Sequence, residues 1–192
     1  MQLSIDKGDL ARLEADALVN AADITLRMGG GVALALRKGG GKDVEEEALE
    51  LGPVELGQAI ATTAGKLNAK FVIHAAVIKP GQAASAEIIE KALQNALELA
   101  DSLECDTLGV PALGCGVGGF AIEDGARLIV KQVNAFSPQY LKHVFLVLHS
   151  DKAYQAFLAA ASDLGVSSVK YVPPALPDYS ESDFDSGESN NP

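Results

Sequence analysis

A chain of 192 residues with 48% apolar composition is long enough to bury a core and reads as one globular domain. Twenty-six acidic against fifteen basic residues give a formal charge of −11, which excludes sequence-independent binding to a nucleic-acid backbone, a task that needs clustered Lys and Arg. No apolar run approaches the roughly 20 residues of a membrane helix, nothing at the N-terminus reads as a signal peptide, and Cys105 and Cys115 lack metal-ligand spacing. The expectation is a soluble cytoplasmic protein with no membrane partner, no metal and no cofactor.

In chain order, short apolar runs alternate with helical periodicity. Strands are predicted over 2–5, 17–20, 59–63, 71–76, 107–111 and 144–149, and helices over 32–38, 43–51, 86–103, 122–135 and 152–164. Long helices between short continuous apolar strands point to an α/β fold with a largely parallel sheet covered on both sides. From Pro173 the composition changes to Pro, Ser, Gly and Asn with five acids and no basic residue. This gives a domain over 1–172 and a disordered acidic tail over 173–192. Without those five acids the formal charge falls from −11 to −6, so the charge argument holds for the domain alone.

Ligands of parallel sheets belong at the C-terminal ends of the strands, so the loops there carry the candidate chemistry. Asp9, after the first strand, either caps a turn or accepts hydrogen bonds from an exocyclic amine such as that of adenine. Asn20 ends the second strand and either fastens neighbouring loops or faces a ligand, as does Asp23. The triplet Gly29-Gly30-Gly31 precedes a helix. The more specific signal is Gly114-Cys115-Gly116-Val117-Gly118-Gly119, which joins a strand to a helix start, where main-chain N–H groups and the helix dipole favour phosphate. It is neither a dinucleotide fingerprint nor a P-loop, since no Lys-Ser or Lys-Thr follows. Cys115 has no His or carboxylate near it in sequence and reads as a small loop residue rather than a nucleophile. His74 reads as a structural strand residue. His149 terminates the last strand and is either an exposed turn residue or a flat ring on which a base can stack.

Together and in this order, Gly8-Asp9-Leu10, Asp16-Ala17-Leu18-Val19-Asn20-Ala21-Ala22-Asp23, Gly29-Gly30-Gly31-Val32-Ala33, Gly57-Gln58-Ala59, Phe71-Val72-Ile73-His74-Ala75 and Pro111-Ala112-Leu113-Gly114-Cys115-Gly116-Val117-Gly118-Gly119 resemble the macro domain, the ADP-ribose-binding module. The resemblance runs from Gly8 to about Asp151. It implies a three-layer α/β/α fold with a mixed, mainly parallel central sheet, and ADP-ribose or an ADP-ribosylated protein as partner. It also implies residue roles. Asp9 and the Leu10 backbone would meet the adenine, with His149 as the ring against it. Gly114, Cys115, Gly116, Val117 and Gly118 would cradle the diphosphate, with Gly30, Gly31, Val32 and Ala33 closing from the opposite loop. Asp23, with Asn20 beside it, would face the distal ribose.

Three departures from the family pattern limit the chemistry. Asp23 stands where Asn is usual, Ala33 where one hydrolytic branch has Asp, and Gly118 where other members have an Asp or a covering aromatic. The expected function is therefore binding of ADP-ribose, free or as a terminal modification. One alternative is a weak ADP-ribosyl hydrolase or O-acetyl-ADP-ribose deacetylase using Asp23 as base with an ordered water. The other is a protein-interaction module with a vestigial cleft.

Overall fold

Successive side chains of the central strands enter two different cores, which is why these strands read as unbroken apolar runs. The computed structural model describes residues 1–169; the predicted acidic tail, 173–192, lies outside them. Six strands, β1 (Gln2–Lys7), β2 (Ala17–Asp23), β3 (Ala59–Thr63), β4 (Phe71–Ile78), β5 (Thr107–Val110) and β6 (His143–Leu148), form one sheet in the order β1-β6-β5-β2-β4-β3. All pairs are parallel except β3 with β4. Five helices cover it: α1 (Gly31–Gly40), α2 (Lys42–Leu51), α3 (Ala86–Ser102), α4 (Ile122–Ala135) and α5 (Asp151–Asp163).

Ala17 and Val19 of β2, Ile73 of β4 and Leu146 of β6 pack against Leu93 of α3, Ile129 of α4 and Phe157 of α5. Their neighbours Leu18, Val72 and Phe145 turn to the opposite face and meet Leu36 of α1 and Val44 of α2. The result is the three-layer α/β/α arrangement with a mixed, mainly parallel sheet. Among the described residues, no helix is long and apolar enough to cross a membrane.

Two of the boundaries that differ from the sequence reading bear on the candidate loops. β2 continues to Asp23 instead of stopping at residue 20, because β4 offers it a partner out to Ile78, with a bulge between Ala22 and Asp23. β6 stops at Leu148, so His149 lies just past the strand, before the Ser150 cap of α5.

Two polar groupings fix the sheet, the first partly exposed and the second buried. At the strand starts, the Asp16 carboxylate accepts hydrogen bonds from Asp106 N (2.9 Å), Thr107 N (3.1 Å) and Thr107 Oγ1 (3.0 Å), and Lys70 Nζ lies 2.8 Å away. Burial alone raises the pKa of that carboxyl, but the Lys70, Thr107 and Asp106 hydrogen bonds outweigh it and hold the group below the ordinary carboxylate range. Asp16→Ala, which strands these donors at the junction of β2, β4 and β5, is expected to cost about 2–3 kcal/mol in denaturant unfolding. A loss under about 1 kcal/mol would show the staple to be dispensable. The second grouping crosses β2, β4 and β3 on the α1/α2 face. Asn20 and His74, both fully buried, meet at 3.1 Å between Nδ2 and Nδ1, and His74 Nε2 lies 3.0 Å from Thr62 Oγ1.

Candidate functional site

Because β1, β6, β5, β2 and β4 run parallel, the loops after them gather along one edge of the sheet. A cleft of about 810 Å³ opens there. Strand order sets its layout. Gly8, Asp9 and Leu10 after β1 sit beside His149 after β6, joined by Gly8 N donating to Leu148 O at 3.0 Å. The loop after β5 runs along the middle, and Gly30, Gly31 and Val32 at the start of α1 lie beyond it with Val77 and Ile78 of β4.

The middle loop is held open by its own backbone. Phe120 N donates to Gly114 O (3.0 Å), Gly119 N to Gly116 O (3.0 Å), and Ala84 N, from the segment before α3, to Gly118 O (2.8 Å). Gly114 sits at φ +73°, and a Cβ there would lie 2.5 Å from Ile89 Cδ1. A Cβ at Gly118 would lie 2.6 Å from Gly114 O, so this loop path admits neither an aromatic nor an Asp at that position. Gly116, in contrast, has open space around it.

Of the helices that begin around the cleft, α1 after Gly30 and α4 after Ala121 start without a side-chain N-cap. The helices α3 and α5 are capped by Ser85 and Ser150. First-turn N–H groups left in this way are ready donors for an anion. The walls add apolar surface from Val32, Ala35, Val77, Ile78 and Phe120. Such a cleft suits a ligand with a central anionic group flanked by less polar ends.

Of the sequence-predicted residues, the structure brings Asp9, Leu10, Gly30, Gly31, Val32, Gly114, Cys115, Gly116, Val117, Gly118 and His149 to the cleft lining. It does not bring Asn20, Asp23 or Ala33 there. The Asn20 side chain is buried beneath the sheet's α1 face against His74. Ala33 turns into the core with Leu36. Asp23 spends Oδ1 on Thr25, from N at 2.6 Å and from Oγ1 at 2.5 Å. Asp9 takes the capping role: Oδ1 caps the short 3-10 turn Leu10–Arg12 through Ala11 N (3.0 Å), while Oδ2 lies 3.9 Å from Arg12 Nε. Burial pushes the Cys115 thiol up to about 11, with Glu123 adding to the effect, and Sγ donates to Leu113 O at 3.4 Å. At neutral pH that sulfur is therefore held as the thiol and not as the nucleophilic thiolate.

Sequence reasoning missed Glu123 and Lys152, which line the cleft from the first turns of α4 and α5 and pair at 3.3 Å. A lysine in a helix's first turn opposes the dipole, and that was the available signal.

A macro domain family model matches residues 19–129. The chain is 43% identical over 160 residues to an uncharacterized protein of Mycobacterium tuberculosis, a match covering 83% of this chain and 45% of that one; it thus spans less than half the length of this relative. It is 38% identical over 161 residues to an uncharacterized protein of Sulfolobus acidocaldarius, covering 82% and 88% of the two chains. Among solved structures it resembles a mutant Oceanobacillus iheyensis macrodomain, with TM-score 0.77, 25% identity and coverage of 83% and 90%. It also resembles the Trypanosoma brucei macrodomain in complex with ADP-ribose, with TM-score 0.76, 22% identity and coverage of 83% and 68%; at that identity the likeness bears on the fold alone.

Proposed function

The chain belongs to the macro domain family, and on that premise we propose that its cleft binds ADP-ribose, free or as the terminal group of a modified protein. The observation that carries this reading is the opposition of two rows of main-chain donors, the uncapped start of α1 and the glycine loop leading into α4, across one cleft. Opposed N–H groups neutralise a diphosphate without the desolvation cost of burying several ammonium groups. On this reading Asp9 Oδ2 accepts from the adenine amine, the Leu10 backbone and His149 ring lie against the base, and the diphosphate rests between Gly30 to Val32 and Gly114 to Gly118. The distal ribose then points toward Ala21, Val77 and Ile78.

No observation favours a hydrolytic reading. Asp23, the carboxylate to which a base role would fall, stands off the lining with Oδ1 held by Thr25.

Calorimetry with ADP-ribose tests the proposal, supported by the rise in unfolding temperature that binding to the native state produces. Neither heat nor stabilisation at millimolar ligand would overturn it. Asp9→Ala is expected to weaken ADP-ribose by about tenfold, the worth of one charge-assisted hydrogen bond, and to leave ribose 5-phosphate unchanged. Equal losses for the two ligands would remove Asp9 from the adenine.

A further inference from the structure

Among the described residues Lys152 is the one lysine or arginine lining the cleft, and it occupies a place that its own helix disfavours, the first turn of α5. Its sequence neighbour Asp151 does not compensate it, because Asp151 pairs with Lys7 at 2.6 Å. Its partner is Glu123, from the first turn of α4, at 3.3 Å between Nζ and Oε1. Glu123 also lines the cleft, and α4 has no other side chain capping its start. Its carboxyl is held below the ordinary range by its own backbone N–H and by Lys152, so it is ionised at neutral pH. The helix start that faces the cleft is thus already served by a carboxylate belonging to the protein.

From this we infer that the Glu123–Lys152 pair is a built-in competitor for the ligand's phosphates: Glu123 occupies the cation and the helix start that an incoming diphosphate would use, and so sets the affinity below what the cleft's donors allow. The inference rests on the ADP-ribose reading of the cleft. Binding then involves a charge exchange. The diphosphate takes a share of Lys152 and of the α4 dipole, and the Glu123 carboxylate swings to solvent, which costs little because both side chains are largely exposed. The arrangement favours ligands with enough negative charge to displace a carboxylate. It disfavours a nucleoside or a singly charged nucleotide, against which Glu123 keeps Lys152.

The test is calorimetry with ADP-ribose on the wild-type chain, Glu123→Gln, Lys152→Gln and the double variant, in about 50 mM and about 500 mM salt. Glu123→Gln is expected to bind about threefold to tenfold more tightly at low salt, with the gain shrinking at high salt as exposed charges are screened. Lys152→Gln, which leaves Glu123 uncompensated, is expected to bind more weakly by a similar factor, and the double variant to return close to wild type. If Glu123→Gln binds no more tightly, or if its gain is the same at both salts, the competitor role is overturned while wild-type binding leaves the ADP-ribose reading in place. If the folded wild-type chain does not bind ADP-ribose, both fall together.

Discussion

Gly116→Glu is expected to weaken ADP-ribose binding by at least about 100-fold, roughly 2.7 kcal/mol, while leaving the stability of the free protein unchanged. The two halves of that expectation come from different properties of one residue. Gly116 lines the cleft but has no neighbour within 4 Å of an added Cβ, and its backbone is not in the left-handed region, so a side chain enters without strain. On the proposed binding mode, a carboxylate placed there faces the diphosphate in a cleft partly shielded from water, where like charges a few ångströms apart repel by several kcal/mol. Calorimetry and thermal unfolding on the same preparation check both halves. Binding within tenfold of wild type would show that the loop after β5 is not where the phosphates lie. Gly114→Ala makes the contrasting control: its Cβ would strike Ile89 and its φ is +73°, so stability falls first.

Acidification from pH 7 to pH 4 is expected to remove about 3 kcal/mol of stability through His74 alone. This imidazole is fully buried, and burial pushes its pKa from 6.5 down to about 4. Thr62 Oγ1 donates to Thr63 O at 3.1 Å and therefore accepts from His74 Nε2–H, which leaves Nδ1 as the acceptor for Asn20 Nδ2. The ring is neutral in this network, and a second proton would set two donors against each other. Between pH 6.5 and 4 the unfolded chain binds a proton that the native chain refuses, so stability rises with pH across that window and the loss is complete only once the pH falls below the native value. Asp16 behaves as a depressed carboxylate: its contribution is present above the ordinary carboxylate range and is lost as pH falls through its lower native value. His74→Gln should therefore be less stable at pH 7 but show a flatter decline between pH 6.5 and 4. Denaturant midpoints at pH 7 and 4.5 decide it; parallel declines for the two proteins would assign the acid sensitivity elsewhere.

The fold was legible where local pattern and tertiary role agree. The runs at 17–20, 71–76 and 107–111 are largely apolar on both faces because helices cover both faces, and the apolar stripe over 86–103 matches Ala86–Ser102 to within one residue. The end of β2 was not legible, because Ala21 and Ala22 have no strong preference and Asp23 reads as a turn residue. Only the backbone of β4 extends the strand. In the site, glycine content announced the loops, since it is a property of a contiguous segment. The fate of Asn20 was hidden because it depends on strand parity, which sends its side chain under the sheet to His74. The inward side chain of Ala33 was hidden for a similar reason: it depends on which side of α1 the residue occupies, and that side packs with Leu36. Glu123 and Lys152 meet only because α4 and α5 start side by side, a relation no local window contains.

The main-chain character of the central cleft carries a consequence for genetics. Truncating a side chain cannot delete a peptide N–H, so on the proposed binding mode an alanine scan across Val32, Cys115 and Val117 should pass over this segment almost silently. Inactivating alleles should instead be gains of bulk or charge at glycine codons, and the loop's sequence is constrained less by what it contains than by what it must leave out.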